Sequence, residues 1–126
     1  MAEIPKDLLY TEEHEWVLME ADIATIGITD YAQKELGDIV FIDLPKVDDE
    51  TKQMDPFGTI EAVKAVSDLF APLSGTIVEV NSLLEDRPEL INQDPYGKGW
   101  MIKIKISDQS ELESLLSAED YKKKIS

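Results

Sequence analysis

One lysine stands in a run of small and branched apolar residues, and its surroundings favour chemistry at its amine. Lys64 lies between Val63 and Ala65, with Glu61 three positions before it and Asp68 four positions after it. A lysine side chain is a flexible stem ending in an amine, and acylation of that amine removes its charge. At an exposed tip between stiff strands, such a residue would carry a prosthetic group between partners. The alternative is an ordinary solvated lysine in a half-buried strand.

The pattern around this lysine predicts a turn between two strands. Alternation is regular at Ile60, Glu61 and Ala62 and falters through 63–65, where small or branched neighbours leave the lysine stem sterically clear. No Asn-Gly or Asp-Gly pair marks a tight hairpin, so turn chemistry alone does not fix the position. A tip fits this break better than the interior of a strand.

The elements that must position the lysine are predicted to be mainly short strands. Apolar residues alternate with smaller or basic residues in several segments, which is the period of a strand with one buried face. The polar stretch 46–52 predicts a loop. We expect strands near residues 23–28, 39–42, 75–80 and 100–106, and on both sides of the lysine after residue 56.

Three short helices are expected beside these strands. Asp30 followed by Gln33 suits a helix N-terminus, and Gly37 suits the left-handed cap that ends the helix. Two closing helices follow the last strand, and the second ends in lysines 122–124, near the negative end of its dipole. Their starts are marked by Asp108 with Glu111, and by Ser117 with Asp120.

An internal repeat suggests two β half-units. Residues 37–40 recur as 75–78, and residues 55–58 recur as 94–97 at nearly the same offset. Chance is the alternative, because glycine and proline recur at turns in any β protein. Two such units packed face to face would form a flattened sandwich or barrel-sandwich, with the segment around Lys64 in the connection between them.

Composition sets the class of protein. The 126 residues predict one domain, 1–126, with a core at about 22–106 and a C-terminal helical segment at 107–126. Twenty-seven acidic against twelve basic residues give a net charge of −15, which disfavours nucleic acid and anionic membranes as partners. Residues 1–7 lack the character of a signal or transit peptide, and no apolar run approaches transmembrane length. We expect a cytoplasmic protein.

Other residue types exclude several kinds of site. The chain has no cysteine, so it has no disulfide or thiolate metal site, and any redox sulfur must be imported. His14 is the only histidine and lacks the partners of a metal site or catalytic triad, so we expect a structural role for it. Trp16 and Trp100 are expected to serve packing.

The segment around Lys64 resembles the lipoyl-attachment segment of the glycine cleavage system H protein family. Further blocks in the family's order match at residues 10–17, 26–29, 94–100 and 116–121, so the resemblance covers nearly the whole chain. The residues that match within the lysine segment are Glu61, Val63, Lys64, Ala65, Ser67, Asp68, Pro72, Ser74 and Gly75.

The resemblance implies a mainly β protein with short helices, in the barrel-sandwich hybrid or hammerhead fold of lipoyl and biotinyl carriers. It implies lipoate bound covalently to Lys64 and a non-catalytic carrier role. The carrier would receive the aminomethyl group of glycine from a pyridoxal-phosphate decarboxylase, the P protein. It would pass the group to a tetrahydrofolate-dependent aminomethyltransferase, the T protein, and electrons to dihydrolipoyl dehydrogenase, the L protein. Lipoyl-attaching enzymes are further partners, and a monomer is expected.

Three acidic residues are candidates for particular roles in such a carrier. The cargo has a protonated amine, so nearby carboxylates and an apolar surface would shelter it, and Glu15 and Asp68 are the candidates. Glu61 is a candidate recognition residue for the enzyme that attaches the lipoyl group. In a chain with twenty-seven acids, plain solvation is the alternative for each of the three.

The alternatives to this resemblance are other carrier proteins and independent enzymes. A biotinyl carrier module shares the fold, but its family has methionines on both sides of the lysine, where this chain has Val63 and Ala65. The lipoyl domain of a 2-oxo acid dehydrogenase is shorter and usually has aspartate before the lysine. An independent hydrolase or metalloenzyme lacks its nucleophile, base and ligands. A lipoate relay protein that donates lipoyl groups to other complexes is an alternative within the carrier class.

Overall fold

Two antiparallel sheets form the frame of the molecule, as seen in a computed structural model that describes residues 3–126. Short helices flank the sheets, and the smaller sheet does not close into a barrel with the larger one. This mainly β architecture with short helices confirms the predicted fold class. The first two residues of the N-terminal segment 1–7 lie outside the described range.

The larger sheet has six strands. They are β1 (Leu9–Tyr10), β2 (Glu15–Glu20), β3 (Ile23–Ile28), β5 (Glu50–Thr51), β8 (Gly75–Val80) and β9 (Ile102–Ile106). Their order is β1-β2-β3-β9-β8-β5. β9 alternates between buried isoleucines and more exposed lysines, as predicted. The prediction of a loop at 46–52 was wrong for Glu50 and Thr51, which pair with Thr76 and Gly75 as a short edge strand.

The smaller sheet carries Lys64. Its strands are β4 (Ile39–Asp43), β6 (Pro56–Ala62) and β7 (Val66–Phe70), in the order β4-β6-β7. β6 and β7 form an antiparallel hairpin in which Glu61 pairs with Val66. β6 also pairs with β4 on its other side, so the strand leading to the lysine is hydrogen-bonded along both edges.

Four α-helices and one 3₁₀ helix surround the sheets, and none in the described part of the chain is long and apolar enough to cross a membrane. They are α1 (Asp30–Leu36), α2 (Leu83–Asp86), α3 (Leu90–Gln93), the 3₁₀ helix Gln109–Ser114 and α4 (Ala118–Ile125). Asp108 and Ser117 cap the two closing helices, as predicted. The sequence did not predict α2 and α3, which have four residues each and therefore show no helical period.

The start of α1 differs by one residue from the prediction. Thr29 is the N-cap, and its hydroxyl accepts a hydrogen bond from the backbone N–H of Ala32. Asp30 is the first helical residue, and its carboxylate accepts from the side chain of Gln33 at 2.7 Å instead of capping the backbone. A threonine before an acidic first turn is a standard helix start. Gly37 ends the helix, as expected, but its φ of +83° is combined with a ψ of −157°, so it is not the left-handed cap that was predicted.

The facing sides of the two sheets enclose the main core, which is built largely from isoleucine and leucine. A second apolar cluster of Leu8, Tyr10, Trp16 and Tyr121 fixes α4 against the larger sheet. Trp16 is buried, and its indole N–H donates to the carbonyl of Pro95 at 2.9 Å, so its expected packing role is confirmed. Trp100 packs against the same cluster.

The repeated segments have different outcomes. Residues 37–40 and 75–78 lead into β4 and β8, which lie in different sheets. Residues 55–58 enter β6, whereas residues 94–97 form turns between α3 and β9. The first pair of repeated segments therefore shares the start of a strand, whereas the second pair shares sequence but not secondary structure.

Gly37 adopts φ +83° and ψ −157°, a conformation that is nearly restricted to glycine, so Gly37→Ala should destabilise the fold. We expect a loss of about 1–3 kcal/mol in the free energy of unfolding, measured by urea denaturation. The matched control is Ala21→Gly, because Ala21 already has φ +56° and glycine would relieve its backbone. Equal effects of the two changes would contradict this account of the Gly37 backbone.

Candidate functional site

Lys64 lies at the apex of the β6–β7 hairpin. The register pairs Glu61 with Val66, and the N–H of Ala62 donates to the carbonyl of Ala65 at 2.7 Å. Val63 and Lys64 are therefore the two residues at the apex, where the faltering alternation predicted a turn. Lys64 is exposed, and it forms no salt bridge with any residue in the range 3–126.

The apex rests on the connection between α1 and β4. The N–H of Val63 donates to the carbonyl of Asp38 at 3.0 Å. A Cβ placed on Gly37 would lie 3.3 Å from Cε of Lys64, so the lysine stem runs over a residue without a side chain. The end of the stem therefore lies against this connection, and the amine is 3.9 Å from the same Cβ position on a residue that is exposed overall.

The side chain of Asn92, in α3, holds the connection between α1 and β4 in place. Its side-chain oxygen accepts from the N–H of Ile39 at 2.9 Å, and its side-chain nitrogen donates to the carbonyl of Gly37 at 2.9 Å and to Gln33 at 2.9 Å. One amide side chain thus satisfies backbone groups on both sides of Asp38. No local sequence pattern predicts this contact, because Asn92 is 53 residues away from Ile39.

The surface around the apex is apolar at its centre. Val63 is 75% exposed and Val66 is 67% exposed, and Val40 and Phe41 of β4 are about half exposed. Large apolar residues that remain in water next to a reactive group suit contact with other proteins. The small side chain of Ala65 adds no bulk beside the lysine.

A cleft of about 240 Å³ lies beside the hairpin. One wall comes from the hairpin itself and another from α1, while the turn before β2 and the end of β3 complete it. The lining residues are Glu13, His14, Glu15, Ile28, Tyr31, Ala32, Glu35, Leu36, Ile60, Ser67, Asp68 and Leu69. Glu15 and Asp68, which the sequence placed 53 residues apart, line this one cleft together with Ser67.

The charges of the cleft have one sign. Four of its described lining residues carry carboxyl groups, and lysine and arginine are absent from them. Asp68 and Glu13 are exposed, whereas Glu15 is 1% exposed. The cleft therefore combines acidic groups with the apolar side chains of Ile28, Ile60 and Leu69.

Glu15 is the buried carboxyl group of the site. Thr11 donates its hydroxyl to one carboxyl oxygen at 2.6 Å, and the N–H of Phe70 donates to the other at 3.3 Å. Burial raises the pKa of Glu15 to about 8, although both hydrogen bonds favour the charged form. A buried carboxyl group with a raised pKa in a cleft is typical of functional sites.

Part of this cleft was not predicted from the sequence. His14 was expected to be structural, and the structure places it in the cleft wall, where its ring lies 5.0 Å from that of Tyr31. Tyr31 and Glu35 were not considered. Their spacing, with Ala32 and Leu36, puts them on one face of α1, which is the signal that would have found them. The described residues contain no cluster of three or more side chains suited to a metal.

Glu61 lies on β6, outside the cleft lining, and is half-buried. It pairs with Phe41 of β4 on one side and with Val66 of β7 on the other, three residues before the lysine. Glu61 therefore lies at the base of the hairpin apex, opposite the exposed residues Phe41 and Val66.

Comparison with known proteins decides the family. The family model for glycine cleavage H-protein matches residues 8–126. The chain belongs to the glycine cleavage H-protein family. The H protein of Carboxydothermus hydrogenoformans is 59% identical over 98% of this chain and 95% of that protein, and the one from Staphylococcus epidermidis is 59% identical over 97% of each. The crystal structure of the Mycobacterium marinum H protein is 38% identical, with a TM-score of 0.87 over 97% of this chain and 98% of that one.

Membership in the H-protein family confirms the resemblance that the sequence showed. It also confirms the expected role as a carrier component of the glycine cleavage system. The structural match extends over both sheets and the closing helices, because it covers 97% of the chain. The fold expected from the family is therefore the one observed.

The raised pKa of Glu15 gives a prediction for stability against pH. Its folded pKa of about 8 lies above its ordinary value of 4.5, so the folded state holds a proton that the unfolded state has lost. The stability that this proton contributes is lost as pH rises between about 4.5 and 8. Glu15→Gln should therefore become more stable than the parent protein at pH 9, by more than about 1 kcal/mol.

Urea denaturation of both proteins between pH 5 and pH 9 measures this difference. Glu13→Gln is the matched control, because Glu13 is an exposed carboxylate in the same turn. A difference between Glu15→Gln and the parent that stays constant with pH would refute the raised pKa.

Proposed function

We propose that Lys64 carries a covalently attached lipoyl group and that the chain acts as a non-catalytic carrier of the aminomethyl group of glycine. The observation that carries this proposal is the exposed amine of Lys64, free of salt bridges within residues 3–126, at the apex of a rigid hairpin. Membership in the H-protein family supports it. The bound group would supply the sulfur redox chemistry that a cysteine-free chain lacks.

The residues of the chain suit the attachment. The amine is accessible from solvent, so an acylating enzyme can reach it without unfolding the hairpin. Val63 and Ala65 leave the stem clear, and Glu61 lies at the neck of the hairpin as a recognition residue for that enzyme. Amide formation removes the charge of Lys64 and leaves the acidic residues around the apex in place.

We propose that the cleft beside the hairpin shelters the amine of the cargo. A protonated amine favours carboxylates nearby. The cleft is lined by Ser67 and Asp68, three and four residues after Lys64, and by Glu15 at the start of β2. A cation within about 4–6 Å lowers the pKa of a carboxyl group, so arrival of the amine would favour ionised Glu15. The apolar walls would cover the alkyl part of the arm.

The chain's own contribution is presentation and protection. A tether that reaches several active sites in turn raises the local concentration of its cargo at each site. The partners are the P protein, the T protein, the L protein and the lipoyl-attaching enzymes. The exposed apolar residues around the apex and the net charge of −15 suit brief contacts with partner faces that are basic at their rims. A monomer in the cytoplasm fits this role.

The attachment is tested by intact-mass and peptide-mass analysis of protein made in a lipoylating host. We expect the mass of one lipoyl group on the peptide that contains Lys64, and its complete loss in Lys64→Arg, since arginine has no acylable amine. Lys52→Arg is the matched control, because Lys52 is also exposed and lies in a loop. A biotin adduct, or a lipoyl group on another lysine, would refute the proposal.

The sheltering role is tested on the loaded carrier in the absence of the transferase. Glu15→Gln and Asp68→Asn should each speed the loss of the aminomethyl group, by on the order of tenfold if each removes one charge-assisted contact. Ammonia release over time is the measurement. Glu85→Gln, an exposed acid on α2, should leave the rate unchanged. Rates equal to the parent's in both cleft variants would remove the cleft from the function.

A further inference from the structure

A tyrosine of the C-terminal helix reaches beneath the cleft. Tyr121 of α4 is fully buried, and its ring stacks on that of Tyr10 at a centroid distance of 4.7 Å. Its hydroxyl oxygen lies 2.9 Å from Nδ1 of His14 and 2.8 Å from Oγ1 of Thr29. His14 lines the cleft, and Thr29 caps α1, which supplies another wall. One hydroxyl group thus joins two elements of the cleft.

The protons of this network have one consistent arrangement. Oγ1 of Thr29 accepts from the N–H of Ala32, and Tyr121 is the acceptor that the described residues offer for its own proton. The Tyr121 oxygen therefore accepts from Thr29, and its single proton is left for His14. Nδ1 of His14 is then an acceptor, so the imidazole is neutral and carries its proton on Nε2.

A protonated imidazole would break this arrangement. Nδ1 of His14 would become a donor, and Tyr121 would have to turn its proton towards Thr29. The proton of the fully buried Thr29 hydroxyl would then lose its acceptor, which is costly in a dry site. The hydrogen bonds therefore hold His14 in its neutral form.

The backbone keeps the imidazole in this place. His14 has φ +70°, a left-handed conformation that is uncommon outside glycine. Its N–H donates to the carbonyl of Thr11 at 3.2 Å, and its carbonyl accepts from the N–H of Thr29 at 3.0 Å. A non-glycine residue stays in such a conformation where its surroundings impose it. The ring is therefore fixed against the cleft by its backbone and by Tyr121 together.

We propose that Tyr121 is a positioning residue for the cleft: through His14 it keeps the wall free of a cation that would repel a bound amine. This inference rests on the proposed sheltering role of the cleft. The titratable and charged groups around His14 are Glu13 and Glu15 on its own segment, Tyr31 and Glu35 on α1, Asp68 on β7, and Tyr121 and Lys124 on α4.

The electrostatic surroundings support a neutral imidazole. Burial lowers the pKa of His14, and Lys124 acts in the same direction, while Glu13 and Glu35 act against them. The hydrogen bond that Nδ1 accepts lowers the pKa of His14 further, as burial and Lys124 do, because it stabilises only the neutral imidazole. Loss of the Tyr121 hydroxyl should therefore raise the pKa of His14.

The proton arrangement is tested by NMR on the unmodified chain, where His14 is the only histidine and its ring signals need no further assignment. Tyr121→Phe removes the hydroxyl and keeps the ring that stacks on Tyr10. We expect the proton on Nε2 in the parent protein. In the variant we expect a mixture of the two neutral forms and a higher pKa for His14.

The functional part is tested by the pH profile of aminomethyl loss from the loaded carrier. As pH falls, protonated His14 should repel the amine and speed the loss. In Tyr121→Phe this increase should begin at a higher pH, shifted by as much as the His14 titration, and at pH 6 loss should be on the order of threefold faster than in the parent.

Tyr10→Phe is the matched control. It removes an equally buried hydroxyl from the same stacked pair, one that donates to the carbonyl of Pro5 and not to His14. It should leave both the His14 titration and the release profile unchanged. The same His14 shift in both tyrosine variants would overturn the proposal.

Several other outcomes would overturn parts of the inference. A proton on Nδ1 in the parent, or an unchanged His14 titration in Tyr121→Phe, would overturn the proton arrangement and, with it, the positioning role of Tyr121. A shifted titration with an unshifted release profile would overturn the positioning role. Unchanged release in Glu15→Gln and Asp68→Asn would instead overturn the proposed function of the cleft, and the positioning role with it.

Discussion

The structure depends on the hydrogen bonding that keeps the β6–β7 hairpin rigid up to its last two residues. β6 is paired on both edges, and the apex adds the contact from Val63 to Asp38. Glu15 holds the far end of β7 through the N–H of Phe70. A hairpin that is bound at both ends and along one side presents its apex in a single position. A long side-chain arm attached at the apex would need such a fixed base.

The same contacts place the cleft. Because Glu15 bonds to β7 and also lines the cleft, the strand that returns from the apex forms part of the wall. The position of the Lys64 amine and the position of the proposed shelter are thus set by one element. Burial disfavours the charge of Glu15, which lowers the stability of the fold as pH rises above its ordinary pKa.

Sequence reasoning succeeded where a local pattern determines the structure. The alternation in β9, the caps at Asp108 and Ser117 and the break at Lys64 are local signals, and each was found. The two-residue strand β5 and the four-residue helices α2 and α3 are too short to show a period, so they were missed. Thr29 was passed over because Asp30 next to it is also a common capping type.

The site was predictable only in part, for a similar reason. Lys64 is marked by its immediate neighbours, whereas Asn92, His14 and Tyr121 act through contacts between distant segments. Such contacts leave no trace in a single sequence, since any asparagine or tyrosine is compatible with many partners. Of the four acids in the cleft, Glu15 and Asp68 were predicted through the family, whereas Glu13 and Glu35 emerged only from the structure.

The dependence of the apex on Asn92 has a consequence for biosynthesis. During translation the hairpin emerges well before α3, and until then the backbone on both sides of Asp38 lacks its amide partner. A nascent chain would therefore display the lysine on a loosely ordered loop. An enzyme that recognises the finished hairpin would then act only on the folded chain, so attachment of the proposed lipoyl group to Lys64 would follow folding.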